Sequence, residues 1–537
     1  MPEQVFTAWS WAEVAQLGLI AHIIAIVLLT LRIVSVQRNI GVAIAWLAIL
    51  YALPIIGFIA YLLIGEPMVG NRYLKRTQQA RALLNDMALR ERIVFDQGHE
   101  LLSEPYRGVS QMGTSLTGFG VFAQHKMQLL TEANELFFRL IKDIRRAERM
   151  ILMEFYIVYP EGQVREVLAA LAAAAQRGVE CHLLADSVGS FNFFGSEHHR
   201  DLEAAGVVVH QSLPVGLFKT LFTRTDLRNH RKIIVIDEDI GYTGSFNLVD
   251  PAHFKQNKNV GQWIDLMVRI KSRQPLSVVT AMAKVVVTDI GSEKNTNLLA
   301  LDGHINTYTR KLYQRSPRIN DINDSVGRYI DSLVANGTMT VLHGATSTVT
   351  MPEIEPVIAQ LIPSAPQVTA HVIYNTLVSV IHRANRCIQI TTPYFVPDEA
   401  LLGALTTAAK RGVEVTLIIP RKVDSFMVQH ASQAYYTELL EAGVTIALFR
   451  GGLLHAKTVV IDDDYCLFGT VNIDMRSFYL NMEVSLAIYS PAMVAQVARC
   501  QQSYLQHCEL LTLEQWRQRH GVKHLFDNGM RLFSPLL

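Results

Sequence analysis

A short pattern of polar residues occurs twice in this 537-residue chain. Each copy has a histidine, a lysine two residues later and an aspartate after four mostly apolar residues, and then Gly-(Ser/Thr)-x-Asn. Six residues separate the aspartate from the glycine in both copies. The copies comprise His230, Lys232, Asp237, Ser245 and Asn247, and His455, Lys457, Asp462, Thr470 and Asn472. Because the spacing is shared, chance is a poor explanation for the pair.

These side chains together suit the cleavage of a phosphodiester. Histidine acts as a nucleophile or as an acid and base near neutral pH, since its unperturbed pKa is about 6.5. With two histidines, one neutral ring attacks phosphorus while the other, protonated, donates its proton to the leaving oxygen. The lysines would hold the nonbridging oxygens, and the hydroxyls and amides would add donors. The scheme requires no metal and no cofactor.

The two copies lie inside a longer duplication. Arg177-Gly-Val-Glu180 and Arg411-Gly-Val-Glu414 each follow an alanine-rich helical stretch and precede a strand-like apolar run. An Ala-Gly-Val tripeptide follows in each case, and the strand that begins with His-x-Lys comes next. This order of elements predicts βαβ units around a largely buried sheet. We therefore predict an α/β protein with two similar domains.

The composition narrows the class of protein. Half of the residues are apolar and 18% are charged, so the chain is more apolar than a typical soluble enzyme. The formal net charge is +1, which gives no basic surplus to favour a nucleic acid partner. The five cysteines form no Cys-x-x-Cys pair, and this argues against a disulfide framework or a zinc site.

Two apolar segments near the amino terminus predict a membrane-spanning helical hairpin. Residues 17–31 form an almost unbroken apolar run that extends to 14–34 with a few polar residues, and a second run covers residues 41–65. Both suit a helix that crosses the hydrocarbon core, which takes about 20 apolar residues. A cleaved signal peptide fits poorly, since no lysine or arginine precedes Arg32, and a hairpin buried in a soluble domain is the other alternative. Pro54 predicts a kink in the second helix.

The basic residues predict which side the large carboxyl-terminal part occupies. Those that follow the second span are Arg72, Lys75, Arg76, Arg81, Arg90 and Arg92. The loop between the spans has only two at its edges, and the tail before them has none. By the positive-inside rule, we expect a cytoplasmic catalytic part. Residues 71–92 have the pattern of a basic amphipathic helix, either on an anionic membrane surface or as a solvated linker.

The doubled motif resembles that of the phospholipase D superfamily and, within it, the bacterial cardiolipin synthases of the two-transmembrane-helix type. Further matching stretches are Thr391-Thr-Pro-Tyr-Phe-Val-Pro397, Gly469-Thr-Val-Asn-Ile-Asp-Met-Arg-Ser477 and Phe533-Ser-Pro-Leu-Leu537. The resemblance covers nearly the whole chain, apart from a longer segment between about residues 270 and 366. It implies two phospholipase D-like repeats packed with pseudo-twofold symmetry, which brings both motif copies to one cleft.

This comparison and the sequence pattern together suggest six segments. They are two transmembrane helices (1–70), a basic juxtamembrane linker (71–124), a first phospholipase D-like domain (125–290), an insertion or linker (291–364), a second such domain (365–515) and a carboxyl-terminal tail (516–537).

The resemblance also implies roles for the motif residues. The six catalytic motif residues are His230, Lys232, Asp237, His455, Lys457 and Asp462, and the supporting residues are Ser245, Asn247, Asp265, Thr470, Asn472 and Glu483. Asp265 and Glu483 match family positions that orient the histidines. We expect Asp237 and Asp462 to hold the turn after the strand instead, because they would face away from the histidine. The copies are chemically symmetric, and only the resemblance favours His230 as the nucleophile and His455 as the acid and base.

The implied reaction is phosphatidyl transfer from one phosphatidylglycerol to another, which gives cardiolipin and glycerol at a bacterial inner membrane. The alternatives are a membrane hydrolase with water as acceptor, a transferase with another phospholipid donor, a superfamily nuclease and a non-catalytic scaffold. The two spans and the absence of a basic surplus disfavour the nuclease, and the intact histidine and lysine in both copies disfavour the scaffold. The sequence does not indicate an oligomeric state.

Overall fold

The computed structural model describes residues 11–35, 40–65, 73–79, 98–215, 226–258, 260–272, 274, 276–293, 351–366, 368–369, 371–519, 521–531 and 534. Several predicted features lie outside these residues. They are the polar break between the two spans, the basic residues at 72, 81, 90 and 92, most of the insertion and nearly all of the final matching stretch.

After the helices at the amino-terminal end, strands and helices are interspersed along both repeats. The helices are α1 (Trp11–Ser35), α2 (Ile40–Ala52), α3 (Pro54–Ile64), α4 (Glu104–Thr117), α5 (Ala133–Arg146), α6 (Gln163–Gln176), α7 (Glu197–Ala204), α8 (Val278–Ser292), α9 (Val372–Arg383), α10 (Glu399–Lys410), α11 (Phe426–Gln433), α12 (Tyr436–Glu441), α13 (Met475–Tyr479), α14 (Pro491–Leu505), α15 (Leu513–Arg517) and α16 (Gly521–Arg531). The strands are β1 (Val121–Leu130), β2 (Met150–Phe155), β3 (Glu180–Asp186), β4 (Val208–Ser212), β5 (Lys232–Ile236), β6 (Ile240–Gly244), β7 (Trp263–Ile264), β8 (Met267–Lys271), β9 (Ile354–Ser364), β10 (Cys387–Thr391), β11 (Phe395–Val396), β12 (Glu414–Pro420), β13 (Thr445–Phe449), β14 (Leu453–Leu454), β15 (Thr458–Ile461), β16 (Tyr465–Gly469), β17 (Ile473–Asp474), β18 (Glu483–Ile488) and β19 (Cys508–Leu511).

One mixed sheet of 15 strands runs through both repeats, in the order β19-β13-β12-β10-β15-β16-β18-β9-β1-β8-β6-β5-β2-β3-β4. From the central β9–β1 pair outward, the halves match strand for strand, and β19 is an addition at one edge. Parallel pairs join β2 to β3 and β10 to β12, as expected for βαβ units. The predicted α/β fold with two repeats and pseudo-twofold symmetry is confirmed.

The two halves join through antiparallel pairing of β1 with β9, for example at Val121↔Gln360 and Phe122↔Ala359. The strand β9 lies inside the segment that we expected to be an insertion, residues 291–364, yet it also pairs with β18 from Glu483↔Ser364 to Ile488↔Ala359. The second half of the sheet therefore begins before residue 365.

Helices cover both faces of the sheet. On one face, α5 and α6 bury their apolar sides against the first half, and α9 and α10 do so against the second. On the other face, α8 and α14 share one apolar cluster with strands of both halves. Buried apolar area is the main stabilising contribution to such layers. Since α8 contacts β9 and α14 contacts β1, the packing also crosses the boundary between the repeats.

The ends of α6 and α10 show the duplication at the level of backbone conformation. Each helix is followed by an arginine and a glycine, and Gly178 and Gly412 both have φ of +91°. A side chain at this left-handed position is disfavoured, so glycine is the usual way to end a helix there. The repeated Arg-Gly-Val-Glu thus marks equivalent helix stops before β3 and β12.

The amino-terminal segment is helical and apolar. Residues Gln16–Ser35 of α1 form a helix long and apolar enough to cross a membrane. The second apolar run is divided at Leu53 and Pro54 into α2 and α3, because proline cannot continue the hydrogen bonds of the preceding helix. The rings of Trp46 and Tyr61 meet edge to face at 5.3 Å across this break.

Candidate active site

The two motif histidines lie just before equivalent strands of the sheet. His230 precedes β5, which opens at Lys232, and His455 and Lys457 precede β15. The side chains of these four residues are buried, with His230 the most exposed at 8%. Apolar strands on both sides exclude water around them, and the electrostatic interactions there are strong as a result.

Each histidine is held by a carboxylate from the other repeat. His230 Nδ1 lies 3.0 Å from the Glu483 carboxylate, and His455 Nδ1 lies 2.7 Å from Asp265 Oδ1. An ionised carboxylate only accepts hydrogen bonds, so Nδ1 donates its proton and Nε2 is left for the substrate. The sequence indicated the two carboxylates as the orienting groups, but the exchange between the repeats appears only in the structure.

Backbone contacts between the repeats hold each histidine beside the carboxylate of the other repeat. The His230 N–H donates to the Met482 carbonyl at 2.9 Å, and the His455 N–H donates to the Ile264 carbonyl at 2.8 Å. In addition, β7 pairs in parallel with β14. Each histidine is therefore fixed by main-chain hydrogen bonds next to the carboxylate that it contacts.

The two lysines point toward the same region. Lys232 Nζ donates to the carbonyl of His230 at 2.6 Å, and Lys457 Nζ donates to that of His455. Burial lowers the pKa of Lys232 to about 8, against the opposing effects of Glu483 and Asp265. Burial lowers that of Lys457 to about 7, and Lys232 adds to the lowering. Protonating both lysines in this buried site is therefore costly, because the charges are desolvated and repel each other. A bound anion would offset that cost.

The histidines respond to the same charges. Burial lowers the pKa of His230, against the opposing effect of Glu483, and both lysines add to the lowering. Burial lowers the pKa of His455 to about 4, against Asp265, and both lysines again add to it. Since each histidine senses the lysine of the other repeat, the two motif copies form one electrostatic site.

The hydroxyl and amide residues of the motifs contact protein groups. Thr470 Oγ1 donates to Glu483 Oε2 at 2.5 Å, so it holds the carboxylate that orients His230. Ser245 Oγ accepts the Leu266 N–H at 3.0 Å, next to Asp265. Asn247 Oδ1 accepts the Ile157 N–H at 3.2 Å, whereas the buried Asn472 Oδ1 has no partner among the described residues.

The motif aspartates lie at the far end of the strands, away from the histidines. Asp237 accepts backbone N–H groups of residues 148–150, and Asp462 accepts those of residues 385–387. Both aspartates have positive φ, of 52° and 51°, in the turn after the strand. These bonds tie the turn to the start of β2 or β10.

We predict that Asp237→Ala lowers the free energy of unfolding by about 2 kcal/mol, because three backbone donors lose their acceptor. The catalytic constant of the folded enzyme should change less than about tenfold, since the carboxylate does not reach the histidines. Denaturant-dependent proteolysis and turnover on the same preparation measure the two effects. Asp463→Ala, which removes an exposed ion pair with Arg386 in the equivalent turn, is the control. A stable but inactive Asp237→Ala would contradict this role.

Several residues around the site, namely Tyr156, Asp186 and Trp263, were not singled out from the sequence. The Trp263 ring packs 4.3 Å from the His455 ring, and the Tyr156 ring lies 5.0 Å from that of His230. Arg228 and Asp186 form a buried ion pair at 3.3 Å. Trp263 stands two residues before Asp265 in the sequence. This closeness to the orienting carboxylate is the sequence feature that could have indicated a place for Trp263 in the site.

Arg231 is a further residue that the sequence did not mark. It is 3% exposed, its Nε donates to the Glu483 carbonyl at 3.1 Å, and Nη2 donates to the Ser364 carbonyl at 2.8 Å. Its Nη1 pairs with Asp289. The second motif has Ala456 at the matching position, so this arginine distinguishes the two half-sites.

The chain is similar to known proteins over almost its whole length. A family model described as cardiolipin synthase, phospholipase D-like domain, matches residues 140–274 and 377–504, and one described as phospholipase D-nuclease N-terminal matches residues 23–66. Cardiolipin synthase A of Shigella flexneri is 36% identical over 540 residues, which cover 99% of this chain and 99% of that protein. The chain belongs to the cardiolipin synthase family of the phospholipase D superfamily. It is thus an enzyme of the phosphatidyl-transferring type.

Other members and structures agree with this assignment. Cardiolipin synthase A of Escherichia coli (strain K12 / DH10B) is also 36% identical, with 99% of both chains covered. The crystal structure of phosphatidylserine synthase from Haemophilus influenzae Rd KW20 has a TM-score of 0.55 at 17% identity, and covers 80% of this chain and 100% of that one. At this low identity, the second comparison supports the fold.

Proposed function

We propose that this protein transfers a phosphatidyl group from one phosphatidylglycerol to another and releases cardiolipin and glycerol. The observation that carries the proposal is the pair of histidines, each oriented by a carboxylate of the other repeat, beside two buried lysines. This arrangement suits two successive displacements at one phosphorus. The full-length similarity to proteins named cardiolipin synthase A supports these lipids as substrates.

In the first step, His230 Nε2 attacks the phosphorus of the donor lipid. The bond from phosphorus to the glycerol headgroup oxygen breaks, and protonated His455 gives that oxygen its proton. The products are phosphatidyl-His230 and free glycerol. Lys232 and Lys457 hold the nonbridging oxygens, where negative charge increases in the transition state.

In the second step, neutral His455 removes the proton from a terminal hydroxyl of a second phosphatidylglycerol. The resulting oxygen attacks phosphorus, the bond to His230 breaks, and cardiolipin forms. His455 is left protonated for the next cycle. Water at the acceptor position would give phosphatidic acid instead, so the low exposure of the site favours transfer over hydrolysis.

Proton uptake is expected to accompany donor binding. With its pKa at about 4, His455 is neutral at pH 7 in the free site. A bound phosphodiester brings a negative charge beside both histidines and both lysines, which raises the pKa of each. We propose that His455 gains its proton in this way, so that the general acid forms only when the donor is present.

The amino-terminal helices are proposed to anchor the enzyme as a multi-pass protein of the bacterial inner membrane, with the catalytic repeats in the cytoplasm. The apolar helix over Gln16–Ser35 supports one span, and α2 with α3 supplies a further apolar stretch. Anchoring concentrates both lipid substrates near the site, which favours a lipid acceptor over water.

The deciding experiment is reconstitution with labelled phosphatidylglycerol as the sole lipid substrate. We expect cardiolipin and free glycerol in equal amounts from the wild type and neither from His230→Ala or His455→Ala. Phosphatidic acid as the main product would make the enzyme a hydrolase. Efficient turnover only after phosphatidylethanolamine is added would indicate a different donor.

The pH dependence of kcat/KM should reflect the protonation of the two lysines. Lys457 and Lys232 are protonated below their pKa values of about 7 and about 8, and each loses its charge as the pH rises through that value. We predict that kcat/KM, which reflects the free enzyme, falls as the pH rises because His455 must take up a proton, and that it falls more steeply above about pH 7, where the lysines lose theirs. Lys457→Arg should move this alkaline limb to higher pH, because guanidinium stays protonated. A profile that is flat up to about pH 9 in the wild type would contradict the prediction.

A further inference from the structure

An apolar surface beside the cleft has no role in the reaction described above. It is formed by α11 and α16, and we call it the α11–α16 patch. Its residues and their exposed fractions are Phe426 (64%), Met427 (40%), Val522 (79%), Leu525 (74%) and Phe526 (42%). Contiguous exposed apolar residues of this kind mark a surface that contacts an apolar partner.

Three of the four large apolar residues of α16 are exposed, and only Met530 packs against the core of the second repeat. The buried side of α16 carries Asp527, which is 1% exposed and lies 2.7 Å from His430 Nδ1 and 2.9 Å from Arg519 Nη1. Its outer side carries Val522, Leu525 and Phe526, at the spacing of one helical face. A helix at a protein–water boundary buries its apolar face. The exposed apolar face therefore indicates that the environment outside α16 is apolar.

A chain of contacts connects this patch to the reaction site. The Trp263 ring lies 4.3 Å from that of His455, and Lys255 Nζ lies 5.1 Å from the Trp263 ring centre. Lys255 Nζ also lies 3.0 Å from Asp424, two residues before Phe426. The α11–α16 patch thus borders the cleft on the His455 side.

The first repeat carries exposed apolar residues at the matching place. They are Val188 (50%) and Phe191 (75%), in the turn after β3, the strand equivalent to β12 before α11. In the same turn, Ser190 Oγ donates to the Tyr156 carbonyl at 3.0 Å, and the Tyr156 ring packs against that of His230. Apolar side chains therefore flank the cleft next to both histidines.

We propose that these two apolar groups insert into the interface of an anionic phospholipid bilayer, so that the cleft opens toward the lipid headgroups. The exposed Lys422 and Lys523 stand beside the patch and suit an anionic surface. Apolar side chains with lysines at their margin are the usual composition of an interfacial contact. The inference rests on the proposed function for the identity of the substrate.

Site-specific fluorescence on the full-length enzyme tests the insertion directly. In a background with Cys387→Ser and Cys508→Ser, the two half-buried thiols, an NBD label is placed at Leu525→Cys or Phe191→Cys. Phe138→Cys is the matched control, because Phe138 is 67% exposed on α5, a helix that packs on the face of the sheet and carries no residue of either group. The enzyme is reconstituted in phosphatidylglycerol nanodiscs with or without spin-labelled lipid.

Labels at 525 and 191 should be quenched by the spin-labelled lipid, and the label at 138 should not. Equal behaviour of all three labels would overturn the proposal. Emission at 525 that changes with protein concentration but not with spin-labelled lipid would indicate a second copy of the chain and would overturn it as well.

Activity gives a second, independent measurement. Phe426→Ser combined with Leu525→Ser should lower the rate on bilayer phosphatidylglycerol by at least about tenfold, because two buried apolar contacts with the membrane are lost. The rate on short-chain phosphatidylglycerol dissolved as monomers should stay unchanged, as should both rates in Phe138→Ser. An equal loss on both substrates would overturn the proposal. Failure of the proposed function has a different result, namely no cardiolipin from the wild type on either substrate.

Discussion

His455→Ala is expected to release one equivalent of p-nitrophenolate from a phosphatidyl-p-nitrophenol substrate and then to stop. This leaving group departs as a stable anion, so the first step no longer needs the acid that the substitution removes. The second step still needs a base, and phosphatidyl-His230 should accumulate. On phosphatidylglycerol, where glycerol must be protonated, the rate should fall by about 10²- to 10⁴-fold.

The reciprocal variant decides the assignment of the histidines. His230→Ala should give no burst, because the attacking nitrogen is missing, and His382→Ala, an exposed histidine at the end of α9, should behave as the wild type. Stopped-flow absorbance measures the burst, and mass spectrometry locates the phosphatidyl group. A burst from His230→Ala and none from His455→Ala would reverse the two roles.

Arg231→Ala is expected to lower the free energy of unfolding by about 3–5 kcal/mol. The buried guanidinium pairs with Asp289 and donates to the carbonyls of Glu483 and Ser364. Its removal leaves a charged carboxylate without its partner in the protein interior, where desolvation makes such a charge costly. It also frees the backbone of Glu483, and the orientation of His230 should suffer with it.

Denaturant-dependent proteolysis of the full-length enzyme in detergent measures this loss. Arg386→Ala, which removes an exposed arginine from its ion pair with Asp463, should have no measurable effect. Combining Arg231→Met with Asp289→Asn should recover part of the stability, because no unpaired charge then remains at this pair. Equal stability of Arg231→Ala and the wild type would show that the buried ion pair does not support the fold.

The repeated pattern made the fold and the core of the site predictable. Alternation of apolar strands with alanine-rich helices indicated βαβ units, and the Arg-Gly-Val-Glu stops indicated the duplication. The orienting role of Asp265 and Glu483 and the turn role of Asp237 and Asp462 followed from the family and from strand geometry. In each of these cases, a short sequence pattern marks the residue and its role, but it does not identify the distant residue that it contacts.

Contacts between distant segments were not predictable in the same way. No local pattern indicates that Glu483 orients His230 rather than His455, because the pairing of each histidine with a carboxylate of the other repeat depends on how the two halves pack. Arg231 sits between two motif residues, and only the fold brings Asp289 and Ser364 to it. The strand β9 follows a long polar stretch and was assigned to the insertion, although pairing with β1 and β18 makes it central.

The β1–β9 pair at the centre of the sheet makes each half of the protein depend on the other. In a fragment with one repeat, β1 or β9 would become an edge strand. Its unpaired backbone groups could then pair with a neighbouring chain. The fragment would also keep a histidine without the carboxylate that fixes its proton. Neither half of this protein is therefore a smaller enzyme, and gene fusion of a twofold dimer is the simplest origin for a chain in which both halves complete each other.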